Sequence, residues 1–239
     1  MRRFHSYGPV DSDIHLSVPR KELVERCVEQ LLGPPGKGGH YFTIWAPRQT
    51  GKTWLMRRAV EEIRRRHGEE FALVTLSMQG IIMEKDGPDE DFFRQVSRLF
   101  RAGIRIEPPS PGSWGEWTDL FSQDKGLFDR PVLLFIDEFD SLPPRVIDRL
   151  VTLFRDMYLH RDSYLLHGLA LIGVRAVLGV ESERGSPFNI QRSFHVPNLT
   201  REEVVDLYGQ YQQESGQPVE EAVVEQVFQV TRGQPGLVS

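Results

Sequence analysis

The stretch from residue 46 to residue 53 constrains this chain more than any other part of it. Its sequence, APRQTGKT, fits the pattern G-x-x-x-x-G-K-[ST] with alanine in place of the first glycine. In loops of this pattern, successive backbone N–H groups converge at the start of a helix and form a concavity that binds phosphate. The residues that we predict to bind a nucleotide here are Ala46, Pro47, Arg48, Gln49, Thr50, Gly51, Lys52, Thr53 and Trp54.

Three residues of the pattern have separate tasks. Gly51 lets the backbone come close to a phosphate because it carries no Cβ. We expect Lys52 to reach the β- and γ-phosphates and the hydroxyl of Thr53 to be a ligand of Mg²⁺. The pattern therefore predicts the phosphate contacts and one side of a metal site.

The sequence on either side of the loop supports this interpretation. Gly39–Trp45 is a short β-rich run, and the residues after the loop place Leu55, Ala59 and Ile63 on one helical face. Strand, loop and helix is the order that a phosphate-binding loop requires. The alternative, a glycine turn that precedes a lysine by chance, does not explain this context.

A second feature is the apolar run Val132–Ile136, which leads directly into Asp137 and Glu138. Such a run indicates a strand buried on both faces of a parallel sheet. Ligands of open parallel sheets bind beyond the carboxyl ends of the strands, so we expect these acids to lie beside the loop. We predict that Asp137 holds Mg²⁺ opposite Thr53 and that Glu138 is the general base for an attacking water. The competing interpretation is a strand followed by an acidic turn.

Hydrolysis of a nucleoside triphosphate also needs positive charge on the transition state. Arg155, Arg161 and Arg175 are candidates, and each is also compatible with an ordinary surface position. We favour Arg175 because it follows the predicted fourth strand at the edge of the sheet where the ligand binds. The base is predicted to be adenine, since no [NT]-K-x-D sequence, which would read guanine, follows the loop.

Strands and helices alternate along most of the chain, which indicates an α/β fold with a parallel sheet. After Asn198 the pattern predicts helices alone, and Thr200-Arg201-Glu202-Glu203 has the pattern of a capping box. Residues 103–117 are rich in proline and glycine, so we expect a loop whose tryptophans cover an apolar edge or stack on a ligand. The remaining predicted strands are 71–76, 165–174 and 193–196, and a helix is predicted at 19–32.

Composition excludes several classes of protein. The net charge of −5 disfavours a surface adapted to nucleic acid, and no apolar run approaches the roughly 20 residues of a membrane span. The N-terminus lacks the apolar segment of a secretory signal. The single cysteine, Cys27, lies among leucines and valines at helical spacing, which indicates a buried thiol rather than a nucleophile. We therefore expect a cytoplasmic protein without a membrane partner.

The two motifs and the order of strands and helices resemble P-loop ATPases of the AAA+/STAND branch, in the ASCE division. Val18–Leu23 is similar to the hhGRExE element of that group, with Pro19 in place of its glycine. Gly233-Gln234-Pro235 matches the G-x-P element of the group's helical lid. Residues 186–190, followed by 198–200, are similar to the segment that joins core and lid.

The resemblance implies a P-loop NTPase three-layer sandwich in which the chain's five predicted strands are parallel and ordered 5-1-4-3-2. It also implies that Arg20 and Pro235 lie against the adenine. We place the core at residues 1–197 and the start of the helical lid at 198–239. Two amphipathic lid helices without a third partner bury little surface, so we expect that the natural protein continues beyond Ser239.

These observations predict an ATPase that binds ATP or ADP with Mg²⁺ and couples the nucleotide state to the lid angle. Its catalytic residues would be Lys52, Glu138 and Arg175. Two alternatives remain open: a STAND-type regulatory switch with little turnover, and the ATPase module of a DNA-processing or nuclease-linked protein. The expected partners are another protein or a second copy of the chain, and nucleic acid would require a further domain.

Overall fold

The computed structural model describes residues 1–5, 10–173 and 192–238. Its strands are β1 (Tyr41–Trp45), β2 (Ala72–Ser77), β3 (Val132–Asp137), β4 (Leu166–Gly173) and β5 (Arg192–His195). They form one parallel sheet in the order β2-β3-β4-β1-β5. Read from the opposite edge, this is the order 5-1-4-3-2, so the prediction is confirmed.

The central strand β3 owes its position to its composition. All six of its residues are buried, because apolar side chains on both faces pack against helices. Leu133 and Phe135 contribute to the core on one side, and Leu134 and Ile136 contribute to the core on the other. This alternation gives the three-layer sandwich that the resemblance implies.

Helices cover both faces of the sheet. On one side, the buried cluster includes the apolar faces of the first two helices, with Cys27 fully buried at its centre. The prediction of a buried core thiol is confirmed, and burial raises the pKa of the Cys27 thiol to about 12. The helices are α1 (Lys21–Leu32), α2 (Lys52–His67), α3 (Asp89–Ile104), α4 (Trp114–Asp119), α5 (Pro144–Leu159), α6 (Arg201–Ser215), α7 (Glu221–Thr231) and α8 (Pro235–Val238).

Two local predictions differ from the structure. The first helix begins at Lys21 rather than at residue 19, because Arg20 has a left-handed backbone with φ of 39°. The segment expected to be a loop contains helix α4, which Ser113 caps by accepting a hydrogen bond from the Glu116 N–H. Trp117 in α4 is fully buried among Phe92, Phe100 and Phe121, so it covers the core as the first of the two interpretations predicts.

The three C-terminal helices form a small unit, which we call the lid (α6, α7 and α8). The predicted capping box is present, with Thr200 and Glu203 bonded to each other's backbone N–H groups. The lid helices have a third partner in the N-terminal segment, contrary to our expectation. The ring of Phe4 lies 5.2 Å from that of Tyr208 and 5.3 Å from that of Tyr211.

None of the helices in the described ranges has both the length and the apolar character needed to cross a bilayer.

Candidate functional site

The register of the sheet brings the two sequence motifs to one edge. Trp45 at the end of β1 pairs with Gly173 at the end of β4, and Ser77 at the end of β2 pairs with Asp137. The loop that follows β1 and the acids that end β3 therefore leave the sheet at its carboxyl edge. This is the edge at which open parallel sheets bind ligands.

The predicted phosphate-binding loop is tightly wound between β1 and α2. Ala46 and Thr50 are almost completely buried, and the Thr50 hydroxyl donates to the Pro47 carbonyl at 2.8 Å across the loop. Two residues have left-handed backbones, Gln49 with φ of 60° and Gly51 with φ of 89°. Glycine adopts this conformation freely, whereas glutamine does so only where its surroundings stabilise it.

The Lys52 side chain folds back into the loop. Its Nζ donates to the carbonyl oxygens of Ala46 at 2.9 Å and Pro47 at 2.8 Å. Burial lowers the pKa of Lys52, while the carboxylates of Glu138 and the neighbouring acids oppose that shift. The ammonium group thus lies at the mouth of the loop, in the field of the acids after β3. Trp54 follows in the first turn of α2, with the Arg58 guanidinium 5.9 Å from its ring centroid.

A direct hydrogen bond joins the two motifs. The Thr53 hydroxyl at the start of α2 donates to Asp137 Oδ2 at 2.9 Å, and Asp137 Oδ1 accepts from the Glu138 N–H at 3.0 Å. Asp137 is 9% exposed. A hydroxyl and a carboxylate are the hard oxygen donors that Mg²⁺ prefers, so this pair, beside the predicted phosphate-binding loop, fits the metal.

Glu138 directly follows β3 and has a left-handed backbone with φ of 51°, so the chain turns away from the strand at this residue. Burial raises its pKa, and the negative charges of Asp137 and Asp140 raise it further. A carboxylate with a raised pKa is a better proton acceptor at neutral pH. The charge environment therefore suits a general base.

Asp140 is a member of the site that the motifs do not assign. A Cβ built on Gly173 would lie 2.8 Å from Asp140 Oδ1, so the end of β4 and the acidic turn are in close approach. The available signal was the spacing of three acids within the sequence Asp137-Glu138-Phe139-Asp140. Glycine at position 173 leaves the room that this carboxylate occupies.

The structure assigns different positions to the candidate arginines. Arg161 stacks on Tyr158, 4.0 Å from the ring centroid, and donates to the carbonyl of Gly39, which precedes β1. It therefore lies at the amino ends of the strands, whereas the phosphate loop lies at their carboxyl ends. Arg155 lies in α5, and Arg175 lies outside the described residues, as does the 186–190 segment.

Arg20 is bonded to the segment between core and lid. Its guanidinium donates to Glu203 Oε1 at 3.1 Å and to the carbonyls of Pro197 at 3.0 Å and Asn198 at 3.3 Å. The side chain is only 9% exposed. Arg20 thus links the start of α1 to the base of the lid.

The lid itself touches the phosphate loop. The Gly236 N–H donates to the Gln49 carbonyl at 3.0 Å, and the Gln234 side chain donates to the Arg48 carbonyl at 3.2 Å. Pro235 lies between these two residues. Sequence reasoning missed this contact, because the two segments are 186 residues apart and no local pattern joins them.

Comparison with known proteins supports the assignment of the fold. No protein-family model and no curated protein sequence matches this chain. Among solved structures, the ORC2 protein of Aeropyrum pernix in ADPNP and ADP complexes has a TM-score of 0.57 at 16% identity, over 82% of this chain and 52% of that one. Cdc6p from Pyrobaculum aerophilum has a TM-score of 0.55 at 19% identity, over 83% of this chain and 52% of that one.

A third similar structure is the HORMA–CdnC–Trip13 complex of Escherichia coli MS115-1. Its TM-score is 0.55 at 15% identity, over 90% of this chain and 74% of that one. This chain spans about half the length of the ORC2 and Cdc6p chains. With the sheet order and the loop geometry, these similarities show that the chain has the fold of AAA+ P-loop ATPase domains.

Proposed function

We propose that this chain binds ATP with Mg²⁺ and hydrolyses it at the edge of the sheet between the phosphate loop and the end of β3. The observation that carries the proposal is the 2.9 Å hydrogen bond between Thr53 Oγ1 and Asp137 Oδ2. It brings residues 84 positions apart into one cluster of oxygen ligands, next to Lys52. A chance loop and an unrelated acidic turn have no reason to meet in this way.

Binding is the task of the loop. The backbone N–H groups that precede α2 attract the phosphates, and the positive end of the helix dipole adds to this attraction. Lys52 exchanges its bonds to the loop carbonyls for phosphate oxygens. ADPNP and ADP in the ORC2 structure favour the adenine nucleotide as the ligand.

Mg²⁺ would be held by the Thr53 hydroxyl and the Asp137 carboxylate, and when bound it neutralises charge on the phosphates. Glu138 acts from the next position along the chain. It accepts the proton of the attacking water, a task to which its raised pKa is suited. We keep Arg175 as the first candidate for the positive charge, supplied within the chain or across a contact with a second copy.

The two other candidate functions share the same nucleotide site. A regulatory switch would bind ATP or ADP with little turnover, and a DNA-processing protein would use this core to drive a further domain. The structure of Aeropyrum pernix ORC1 in complex with DNA, with a TM-score of 0.53 at 14% identity, motivates the second of these. The ATPase is preferred because Glu138 directly follows Asp137, which places a carboxylate where a general base is needed.

Replacing the lysine tests the site. In Lys52→Ala, the affinity for a fluorescent ATP analogue with Mg²⁺ should fall by about 10- to 100-fold, the effect of losing a charge-assisted hydrogen bond. Fluorescence anisotropy measures the dissociation constant. Lys37→Ala is the matched control. It removes the same charge at an exposed position in the loop before β1. Equal affinities for the two variants would refute the proposed site.

A further inference from the structure

The lid makes its contact with the phosphate loop at the strained residue of that loop. Gln49 has φ of 60°, a conformation that residues with side chains adopt rarely. Two lid donors bond the carbonyls at this point, the Gly236 N–H to Gln49 and the Gln234 amide to Arg48. The strain is therefore located where the lid supplies hydrogen bonds.

These bonds fix the direction of the loop's N–H groups. In a trans peptide, the carbonyl of one residue and the N–H of the next point in opposite directions. The lid draws the carbonyls of Arg48 and Gln49 toward itself, so the N–H groups of Gln49 and Thr50 point the other way. A phosphate-binding loop requires that its N–H groups face the anion together.

The approach of the two segments is close enough to require glycine. A Cβ on Gly236 would lie 2.6 Å from Gln49 Cβ and 2.8 Å from Gln49 Oε1. The backbone of Gly236 is helical within α8 and does not itself need glycine. Space, rather than conformation, therefore explains the glycine at position 236.

Hydrogen bonds to the linker between core and lid (residues 197–199) hold the segment that carries Gly236 in place. Gly233 accepts a hydrogen bond from the Leu199 N–H at 2.8 Å, and the Asn198 side chain donates to the Arg232 carbonyl at 3.0 Å. The same linker bears the carbonyl of Asn198 to which Arg20 donates. The lid contact thus rests on a chain of hydrogen bonds that reaches the start of α1.

From this geometry we propose that Gln234 and Gly236 are positioning residues for ATP, acting through Gln49. The lid holds the loop in its phosphate-binding shape. This inference rests on the proposed function for its ligand, whereas the hydrogen bonds between lid and loop are observed independently of that assignment. By linkage, nucleotide strengthens the docking of the lid by the same factor by which the docked lid strengthens nucleotide binding.

A double-mutant cycle tests the contact. Gly236→Ala places a methyl group against Gln49 and should weaken binding of a fluorescent ATP analogue by about tenfold, within the usual range of such coupling. Gln49→Gly removes the opposing atoms and tolerates a positive φ. In the Gln49→Gly background, Gly236→Ala should then change the affinity by less than about twofold. Gly209→Ala in α6 is the control, because a Cβ there meets nothing within 4 Å.

Hydrogen exchange of the protein without nucleotide provides a second readout. Gly236→Ala should speed exchange in residues 47–53, whereas Gly209→Ala should leave it unchanged. Wild-type affinity and exchange in Gly236→Ala, or equal losses in both backgrounds of the cycle, would overturn the inference. If the wild-type protein binds no ATP, the proposed function fails while the exchange result still decides the lid contact.

Discussion

At the scale of single residues, the charge around Glu138 governs its chemistry. Burial and the carboxylates of Asp137 and Asp140 raise its pKa above the ordinary value of a glutamate. A general base must be deprotonated, so turnover should be present above this raised pKa and lost as the pH falls through it. The acid limb of the pH profile should therefore lie above that of an unperturbed carboxylate.

Asp140→Asn removes one of these charges and should move the acid limb to lower pH. The physical reason is that the ionised form of Glu138 becomes less unfavourable when a neighbouring negative charge is lost. The measurement is steady-state phosphate release as a function of pH. Asp86→Asn, at an exposed position outside the site, should leave the limb in place. A shift toward higher pH in Asp140→Asn would contradict this electrostatic account.

The sequence predicts a site residue where that residue belongs to a motif of fixed spacing. Thr53 and Asp137 belong to separate motifs, and both motifs are recognised from residue types next to a strand. Asp140 and Gly236 belong to no such pattern. Their roles depend on close approaches between distant segments, Asp140 to Gly173 and Gly236 to Gln49, that only packing creates.

At the scale of elements, the sequence predicts the start of one helix and not that of another, for the same reason. The capping box at Thr200 is predictable because its hydrogen bonds join residues three positions apart. The start of α1 is not, because Arg20 is held in a left-handed conformation while its side chain bonds to Glu203 and Pro197. A tertiary contact overrides the local preference for a proline in the first helical turn.

Thr200→Ala should destabilise the protein by about 1 kcal/mol, the usual effect of losing an N-cap. It should also loosen Glu203, to which Arg20 donates. Chemical denaturation measures the loss of stability, and hydrogen exchange localises it to α6. Thr152→Ala is the matched control, since the Thr152 hydroxyl bonds the Asp148 carbonyl within α5 and alanine favours a helix interior. Equal stability of the two variants would argue against the cap.

At the scale of the whole molecule, the parallel sheet follows from the alternation of strands and helices, and its strand order is what the family resemblance implies. Neither predicts how the lid packs. The expectation that the two lid helices lack a third partner is wrong. The N-terminal segment instead adds Phe4 and Leu16 to the buried cluster around Val204 and Leu207. This packing joins the two ends of the chain, and no periodicity within either end predicts it.

The central claim is that the joined motifs hydrolyse ATP with Glu138 as the base. Steady-state ATP turnover of the wild-type protein, Glu138→Gln and Glu84→Gln tests it most directly, with ATP affinity measured on the same samples. Because the raised pKa means that ionised Glu138 is unfavourable in the folded state, glutamine at this position should not unfold the protein.

We predict that Glu138→Gln keeps its ATP affinity and loses turnover by about 100-fold or more, as expected for removal of a general base. Glu84 is exposed in the loop before α3, so Glu84→Gln should turn over like the wild-type protein. Turnover at the wild-type rate in Glu138→Gln would contradict the account.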